Sequence, residues 1–319
     1  MTSKFNNNLY LILFITIVYS LVIGSGFYGF GHDYYVAYHK ENLNWGSWQN
    51  RLGFKISTFT IYEKNLGIYI VSALLALSSG IFIKFFLIKK KIYSTIFFIL
   101  IYILVLHTWP IIMSTSNAMR QGITMSLIYL CFACLINQKY FLALIAVTIS
   151  IFTHKSGIFY FLLFLDILVL KLIFKIVKFD KYFNIIFILF NASALLIFIS
   201  YFFIYNMNFD IEHRIIGGDF RYQFLLLSLI FILIFTFKYK SLIFNDVYLF
   251  MYLFSFTSIP ILLLGFNWQY ERLMMMMTIP YLLIFSTMFN KKYSYLLLLS
   301  SISLLLILTI YQGMYESFK

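Results

Sequence analysis

Residues 66–88 read LGIYIVSALLALSSGIFIKFFLI, a run of 23 positions with one charge, Lys84, and no proline. Crossing the hydrocarbon layer of a bilayer takes about 20 apolar residues in a helix. The run lacks the alternating polarity of a barrel strand, and in lipid a single segment satisfies its own backbone only as a helix. It therefore predicts a membrane-spanning helix. Similar runs, bounded by charged or polar clusters, recur at about 9–30, 93–112, 118–137, 140–153, 157–174, 183–205, 223–237, 247–266, 273–289 and 294–311. Together they predict an all-α, polytopic integral membrane protein with about 11 transmembrane helices. No repeat or linker divides residues 1–319, so the sequence reads as a single transmembrane domain with longer loops at about 31–65 and 206–222.

Composition gives the same reading. Of 319 residues, 62% are hydrophobic and 11% charged, and the mean hydropathy is +0.91. Soluble domains carry roughly 45–50% apolar and 25% charged residues. A soluble enzyme is excluded, and any chemistry must sit in loops or between helices. The net charge of +13 is read by side of the membrane rather than as a total, and it does not indicate a nucleic-acid partner.

If the N-terminus is placed inside, the basic residues sort themselves. The inner loops hold 14 lysines, among them Lys84, Lys89, Lys171 and Lys238, and the outer side holds ten cations, four of them in loop 31–65. This positive-inside bias puts the N-terminus in the cytoplasm and the C-terminus outside. Residues 1–26 loosely fit a cleavable signal peptide. The apolar stretch runs on through Phe27-Tyr28-Gly29-Phe30, however, so we read a retained helix.

The two sides also differ in kind. All inner cations are lysines, whereas Arg51, Arg120, Arg214, Arg221 and Arg272, together with every histidine, fall at or near the outer face. Arginine offers a planar fork suited to phosphate. The even-numbered helices start outside, with their positive dipole ends and free N–H groups there. Arg120, Gln121, Lys155, Arg221 and Arg272 stand at those starts. A cation there opposes the dipole, an arrangement that makes sense if an anion binds between them. The bland alternative is that they snorkel to water beside an aromatic belt of Trp109 and Trp268. Pro110, Pro260 and Pro280 are expected within helices, in their outer halves.

Loop 31–65 brings Asp33 just beyond the first helix, with Tyr34, Tyr35, Tyr38, Trp45 and Trp48 as flat faces for sugars. Loop 206–222 holds Asp210, Glu212, His213, Arg214, Asp219 and Arg221, with no diagnostic metal spacing, so neither metal nor cofactor is expected. Cys131-Phe132-Ala133-Cys134 falls mid-helix, where small residues pack. Met274 to Met277 opens the tenth helix as lipid-facing or packing residues. Asp166, mid-helix in the sixth span, is a functional candidate because a carboxylate there is costly. No phosphate-loop, Ser-His-Asp or zinc signature is present.

Ser116-Asn117-Ala118-Met119-Arg120-Gln121-Gly122 opens a helix, and Phe152-Thr153-His154-Lys155-Ser156-Gly157 follows after about thirty apolar residues. This pairing of N-x-x-R-Q with F-x-H-x-S resembles the EpsG-like family of Wzy-type polysaccharide polymerases. Asp33 to Tyr38 after the first helix and Glu271-Arg272 at the start of a late one are similar too. The resemblance implies a GT-C-like membrane glycosyltransferase architecture in the bacterial inner (plasma) membrane, with the active site facing the periplasm or outside. It implies an O-antigen or capsular polysaccharide polymerase. The growing glycan would pass from undecaprenyl diphosphate to the non-reducing end of another lipid-linked repeat unit. Expected partners are those lipid-linked oligosaccharides and membrane lipid, with a chain-length regulator and a flippase nearby. Charge then suggests roles. Asn117, Arg120, Gln121, Lys155, Arg214, Arg221 and Arg272 would bind diphosphate or glycan. Asp33, His154 and Glu271 are candidates to take the acceptor's proton, histidine ordinarily titrating nearest neutrality. An O-antigen ligase, a glycosyltransferase using a lipid-phosphate sugar, and a flippase remain open alternatives.

The topology has a direct check. A cysteine replacing Ser47 should react with a membrane-impermeant maleimide on intact cells, and one replacing Lys240 only after permeabilisation. The reverse pattern would invert the orientation.

Overall fold

The computed structural model describes residues 2–31, 34–35, 51–61, 64–176, 181–207, 222–288 and 291–311. These form the helices α1 (Thr2–Gly24), α2 (Arg51–Ser57), α3 (Gly67–Lys89), α4 (Thr95–Leu106), α5 (Trp109–Ser116), α6 (Met119–Ile136), α7 (Tyr140–Ile151), α8 (Ser156–Ile176), α9 (Lys181–Met207), α10 (Tyr222–Phe237), α11 (Tyr239–Phe244), α12 (Asp246–Leu263), α13 (Asn267–Ser286) and α14 (Lys291–Tyr311). The only strands among the described residues are β1 (Thr60–Ile61) and β2 (Lys64–Asn65), an antiparallel pair in the first long loop. Among the described residues five helices are long and apolar enough to cross a membrane, namely α3, α6, α8, α12 and the Tyr293–Ile310 stretch of α14. A sixth is added if α4 and α5 are one span bent by 54°. Shorter apolar helices cover Leu9–Gly24, Tyr140–Ile151, Asn184–Ile197 and Tyr222–Phe237. The protein is all-α and membrane-embedded.

The bend between α4 and α5 corrects the expectation of one continuous helix over 93–112. At the break His107 Nδ1 donates to the Ile103 carbonyl (2.8 Å), and Thr108 Oγ1 donates to that of Val105 (2.7 Å). Side chains thus take up carbonyls that the interrupted helix leaves over, as an apolar setting requires. Pro110 does not kink a helix from within, as expected, but sits in the first turn of α5. There its missing N–H costs nothing and its fixed φ suits a helix start. The neighbouring Trp109 N–H donates to Thr309 Oγ1 on α14 (3.1 Å). Pro260 and Pro280 do lie inside α12 and α13. Because α13 already begins at Asn267, Pro280 falls beyond its midpoint rather than in its first half.

The chain forms two compact units, 1–158 with 282–319, and 159–281. In the first, α3 packs on α1 and α6, α6 on α5 and α7, and α14 on α4. Phe82 of α3 meets Tyr129 and Phe132 of α6 at ring separations of 5.4 and 5.6 Å. Tyr102 donates to the Ala76 carbonyl and shares a hydrogen bond with Thr16, which pins α4 against α3 and α1. Lys84, expected in an inner loop, is instead buried within α3.

In the second unit α12 is the centre, with α9, α10 and α11 around it and nearly every side chain from Asp246 to Ser255 buried. Tyr160 of α8 stacks on Phe254 at 6.0 Å and 14°. Met274 to Met277 are all buried, so they fill the packing of α13 rather than face lipid. Asp166 keeps one buried carboxylate oxygen without a hydrogen-bond partner among the described residues. At the start of α12 the Asn245 side chain accepts from the Val247 and Tyr248 N–H groups. Asp246, 5% exposed, takes an ion pair from Lys171 of α8 at 2.5 Å. Lys171, read from sequence as a topology charge, is thus also a packing residue.

Removing one partner leaves a buried charge uncompensated. Asp246→Asn should lower the thermal midpoint in detergent, at a cost of roughly 2 kcal/mol given the half-buried lysine. Adding Lys171→Met should recover much of it. Equal midpoints for wild type and Asp246→Asn would deny the pair a structural role.

Candidate functional site

The segment 114–122 is built by two helices meeting at a sharp corner. Thr115 and Ser116 turn their hydroxyls back on carbonyls of their own helix, Thr115 to Ile111 and Ile112, Ser116 to Ile112. Asn117 ends α5, Ala118 offers no side-chain acceptor to the first turn of α6, and Arg120 is the second residue of that turn. The half-buried guanidinium therefore sits at the positive end of an uncapped helix. Gln121 beside it is 2% exposed. A Cβ on Gly122 would stand 2.0 Å from the Ser114 carbonyl oxygen, so glycine is what lets α6 cross the last turn of α5.

The first long loop starts on this corner. The Gly31 N–H donates to the Ser116 carbonyl at 3.1 Å, and the Tyr34 N–H donates back to Gly31 at 3.0 Å. A Cβ on Gly31 would lie 2.3 Å from Asn117 Cγ. Asp33 stands between Gly31 and Tyr34 in the chain but, like Arg214 and Arg221, lies outside the described residues, as do Tyr38, Trp45 and Trp48. Of the aromatic faces expected here, Tyr34 is buried and stacked on Phe30 at 4.3 Å, whereas Tyr35 is 54% exposed. Burial above all, and the nearby hydroxyls of Tyr35 and Tyr69, push the Tyr34 hydroxyl up from its ordinary pKa, so it remains protonated.

The second segment, 152–157, forms the turn between α7 and α8. His154 Nδ1 accepts the Ser156 N–H at 3.2 Å and lies 2.8 Å from Ser156 Oγ. With Nδ1 accepting from the backbone, the neutral ring carries its proton on Nε2. His154 thereby serves the start of α8 much as an N-cap does. Lys155 is exposed, and Gly157 is pressed against the Ser150 carbonyl, where a Cβ would stand 2.1 Å from the oxygen.

One contact joins the two segments. Thr124 Oγ1, a turn below Arg120, lies 2.7 Å from Thr153 Oγ1, next to His154. On the other side of the same turn, Gly53 of α2 donates its N–H to the Phe152 carbonyl at 3.4 Å, and a Cβ there would stand 2.3 Å from the Thr153 oxygen. The first long loop is thus tied to both segments, at its start through Gly31 and Ser116 and further along through Gly53 and Phe152.

Glu271 and Arg272 belong to the second unit. Both are half-buried and lie in the second turn of α13, which begins at Asn267, six residues before the start at 273 read from the sequence. Tyr270, fully buried, shares a hydrogen bond with Ser228 of α10 at 3.4 Å, and Tyr160 donates to the Leu273 carbonyl at 3.1 Å. The pair is flanked by fixed points.

The EpsG family model matches residues 10–318. The chain belongs to the EpsG family. No curated protein and no solved structure matches it. The EpsG family is associated with polysaccharide polymerase-like membrane proteins, in keeping with the likeness first read from Asn117-x-x-Arg120-Gln121 and Phe152-x-His154-x-Ser156.

For this EpsG chain the arrangement offers a cation, an amide and an imidazole donor at two helix starts, which suits an oxyanion better than a metal ion. Among the described residues no three His, Cys, Asp or Glu side chains gather as ligands for one ion. Sequence reasoning gave no role to Thr124, Thr153, Gly31 or Gly53. Thr124 alone had a local signal, its i,i+4 spacing from Arg120.

The glycine contacts make a prediction. Gly53→Ala should push α2 off the 152–153 turn, so that limited proteolysis cuts within 31–65 several-fold faster while membrane abundance stays near wild type. Unchanged cleavage would show that the loop tolerates the methyl group.

Proposed function

We propose that this chain is an O-antigen or capsular polysaccharide polymerase, a glycosyltransferase working at the outer face of the bacterial plasma membrane. It would transfer the growing glycan from undecaprenyl diphosphate to the non-reducing end of another lipid-linked repeat unit. The observation that supports this reading is the Thr124–Thr153 contact in an EpsG-family chain, which ties α6, just past the N-x-x-R-Q segment, to the F-x-H-x-S turn. The N-x-x-R-Q segment is cationic and set at a helix start, as a leaving diphosphate requires.

In the reaction the acceptor hydroxyl oxygen attacks the anomeric carbon of the donor glycan. A new C–O bond forms as the bond to the diphosphate oxygen breaks. Negative charge grows on the leaving diphosphate, and Arg120 stabilises it, with Arg272 and Arg214 or Arg221 as further candidates for that role. Asn117, Gln121 and Lys155 bind the diphosphate or neighbouring sugar. His154, with Nδ1 engaged by Ser156, is disposed to donate from Nε2 toward a phosphate or sugar oxygen. That leaves the carboxylates Asp33 and Glu271 to receive the acceptor's proton. The reaction uses no nucleotide and no cofactor. Lipid-linked repeat units are the substrates, and a flippase and a chain-length regulator are the expected partners.

Purified protein incubated with a defined lipid-linked repeat unit should give a ladder of products. Arg120→Lys and Arg272→Lys, at wild-type abundance, should each cut turnover by about a hundredfold, since lysine lacks the bidentate fork. Wild-type ladders from both variants would dismiss the diphosphate clamp. Transfer of a single glycan to a different lipid acceptor, without a ladder, would instead indicate a ligase.

A further inference from the structure

Thr124 and Thr153 are both fully buried, and their hydroxyl oxygens lie 2.7 Å apart across a gap of 29 residues in sequence. Each also reaches a carbonyl: Thr124 that of Arg120 at 3.2 Å, Thr153 that of Ser150 at 2.8 Å. A hydroxyl has one proton. Two donors cannot serve three bonds, so one threonine must donate to the other, and the pair forms a directed chain. Either it runs from Thr124 through Thr153 to the α7 terminus, or from Thr153 through Thr124 to the backbone of Arg120. In both orders the first turn of α6 and the turn carrying His154 are tied through two hydroxyls that touch no solvent. The same turn is held from its other side by α2, through the contact of Gly53 with the Thr153 carbonyl oxygen. Thr153 is thus gripped at its side chain by one segment and at its backbone by another.

We propose that Thr124 and Thr153 are positioning residues, a buried hydroxyl clasp that sets the Arg120 guanidinium and the His154 imidazole at the separation needed to engage one diphosphate-linked sugar. The inference rests on the polymerase reading for its substrate and extends it to residues that touch no substrate. Three features favour a positioning role over mere packing. A valine would fill the same volume at either position without needing a partner, so packing alone gives no reason for two hydroxyls. The clasp lies within one helical turn of Arg120 and one residue of His154, so a change in its length reaches both. And the turn has little other freedom, since Gly157 against Ser150 and Gly53 against Thr153 close it on both sides. Displacement of such a constellation by about 1 Å costs on the order of a hundredfold in rate.

The test uses four variants in nanodiscs, Thr153→Val, Thr124→Val, the double Thr124→Val/Thr153→Val, and Thr153→Ser. Two readouts are taken: elongation of a lipid-linked repeat unit and direct binding of undecaprenyl diphosphate. Thr153→Ser keeps the hydroxyl and should stay within about twofold of wild type in both. Thr153→Val and Thr124→Val should lose about ten- to a hundredfold in kcat with KM changed far less. The double variant replaces both partners by apolar groups of the same shape, which restores burial without unmade bonds. It should recover the wild-type melting temperature yet stay as slow as the single variants. Turnover that recovers with stability in the double variant would reduce the clasp to a packing contact, and wild-type kcat in Thr153→Val would overturn it outright. Should the wild-type protein bind undecaprenyl diphosphate but form no ladder, the polymerase reading fails alone. The clasp is then judged on binding of undecaprenyl diphosphate, which carries the charge of the released leaving group rather than of the bound substrate, about tenfold weaker in Thr153→Val and unchanged in Thr153→Ser. A wild-type protein that neither binds nor elongates removes both.

Discussion

Every backbone N–H and C=O of a chain immersed in hydrocarbon has to be bonded inside the protein, and the rest of this structure follows from how that demand is met. For most of its length the chain meets it with unbroken helix. Where it departs from helix, side chains or neighbouring helices step in. His107 and Thr108 bond the last carbonyls of α4, Thr309 receives the Trp109 N–H, and His154 receives that of Ser156. Irregular backbone at membrane depth is tolerated only where protein or a polar cavity surrounds it. The corner at 114–122 and the turn at 152–157 are two places where the chain leaves one helix and enters the next.

The same demand explains the use of glycine here. Gly31, Gly53, Gly122 and Gly157 each bring backbone against a carbonyl or against Asn117, at distances no side chain could occupy. Thr115 and Ser116 settle their hydroxyls on carbonyls of their own helix, whereas Ser114 Oγ is buried at the same corner without a hydrogen-bond partner among the described residues. A site assembled this way is rigid where it meets the helices, and it can hold a cation beside a helix start despite the unfavourable dipole.

What the sequence made legible was the part governed by bulk apolarity. Runs such as 66–88 and 118–137 announce helices because nothing else satisfies them, and the structure has α3 and α6 there. Residue type and spacing single out Asn117, Arg120, Gln121 and His154 as candidates, and the structure sets Asn117, Arg120 and Gln121 where α5 gives way to α6 and His154 in the turn before α8. Less visible were features set by tertiary contact. The split of 93–112 into α4 and α5 depends on Thr309, two hundred positions away. The helical state of Glu271 and Arg272 depends on Tyr270 and Leu273 finding partners on α10 and α8. Thr124 and Thr153 are ordinary threonines in apolar runs until the fold makes them neighbours. Local pattern carries no trace of such pairings, because each member is unremarkable alone.

The hydrogen bond from Trp109 to Thr309 also bears on how the protein is made. The break between α4 and α5 sets the direction in which α5 delivers Asn117 to the corner, yet one of its supports lies on α14, which leaves the ribosome long after α5. During synthesis the N–H of Trp109 must find another partner until α14 is made, and α14 then locks a geometry set by helices made well before it. A protein truncated before α14 would insert most of its helices and still lack a settled bend. Premature termination would therefore yield an inserted protein in which the N–H of Trp109 lacks its partner on α14.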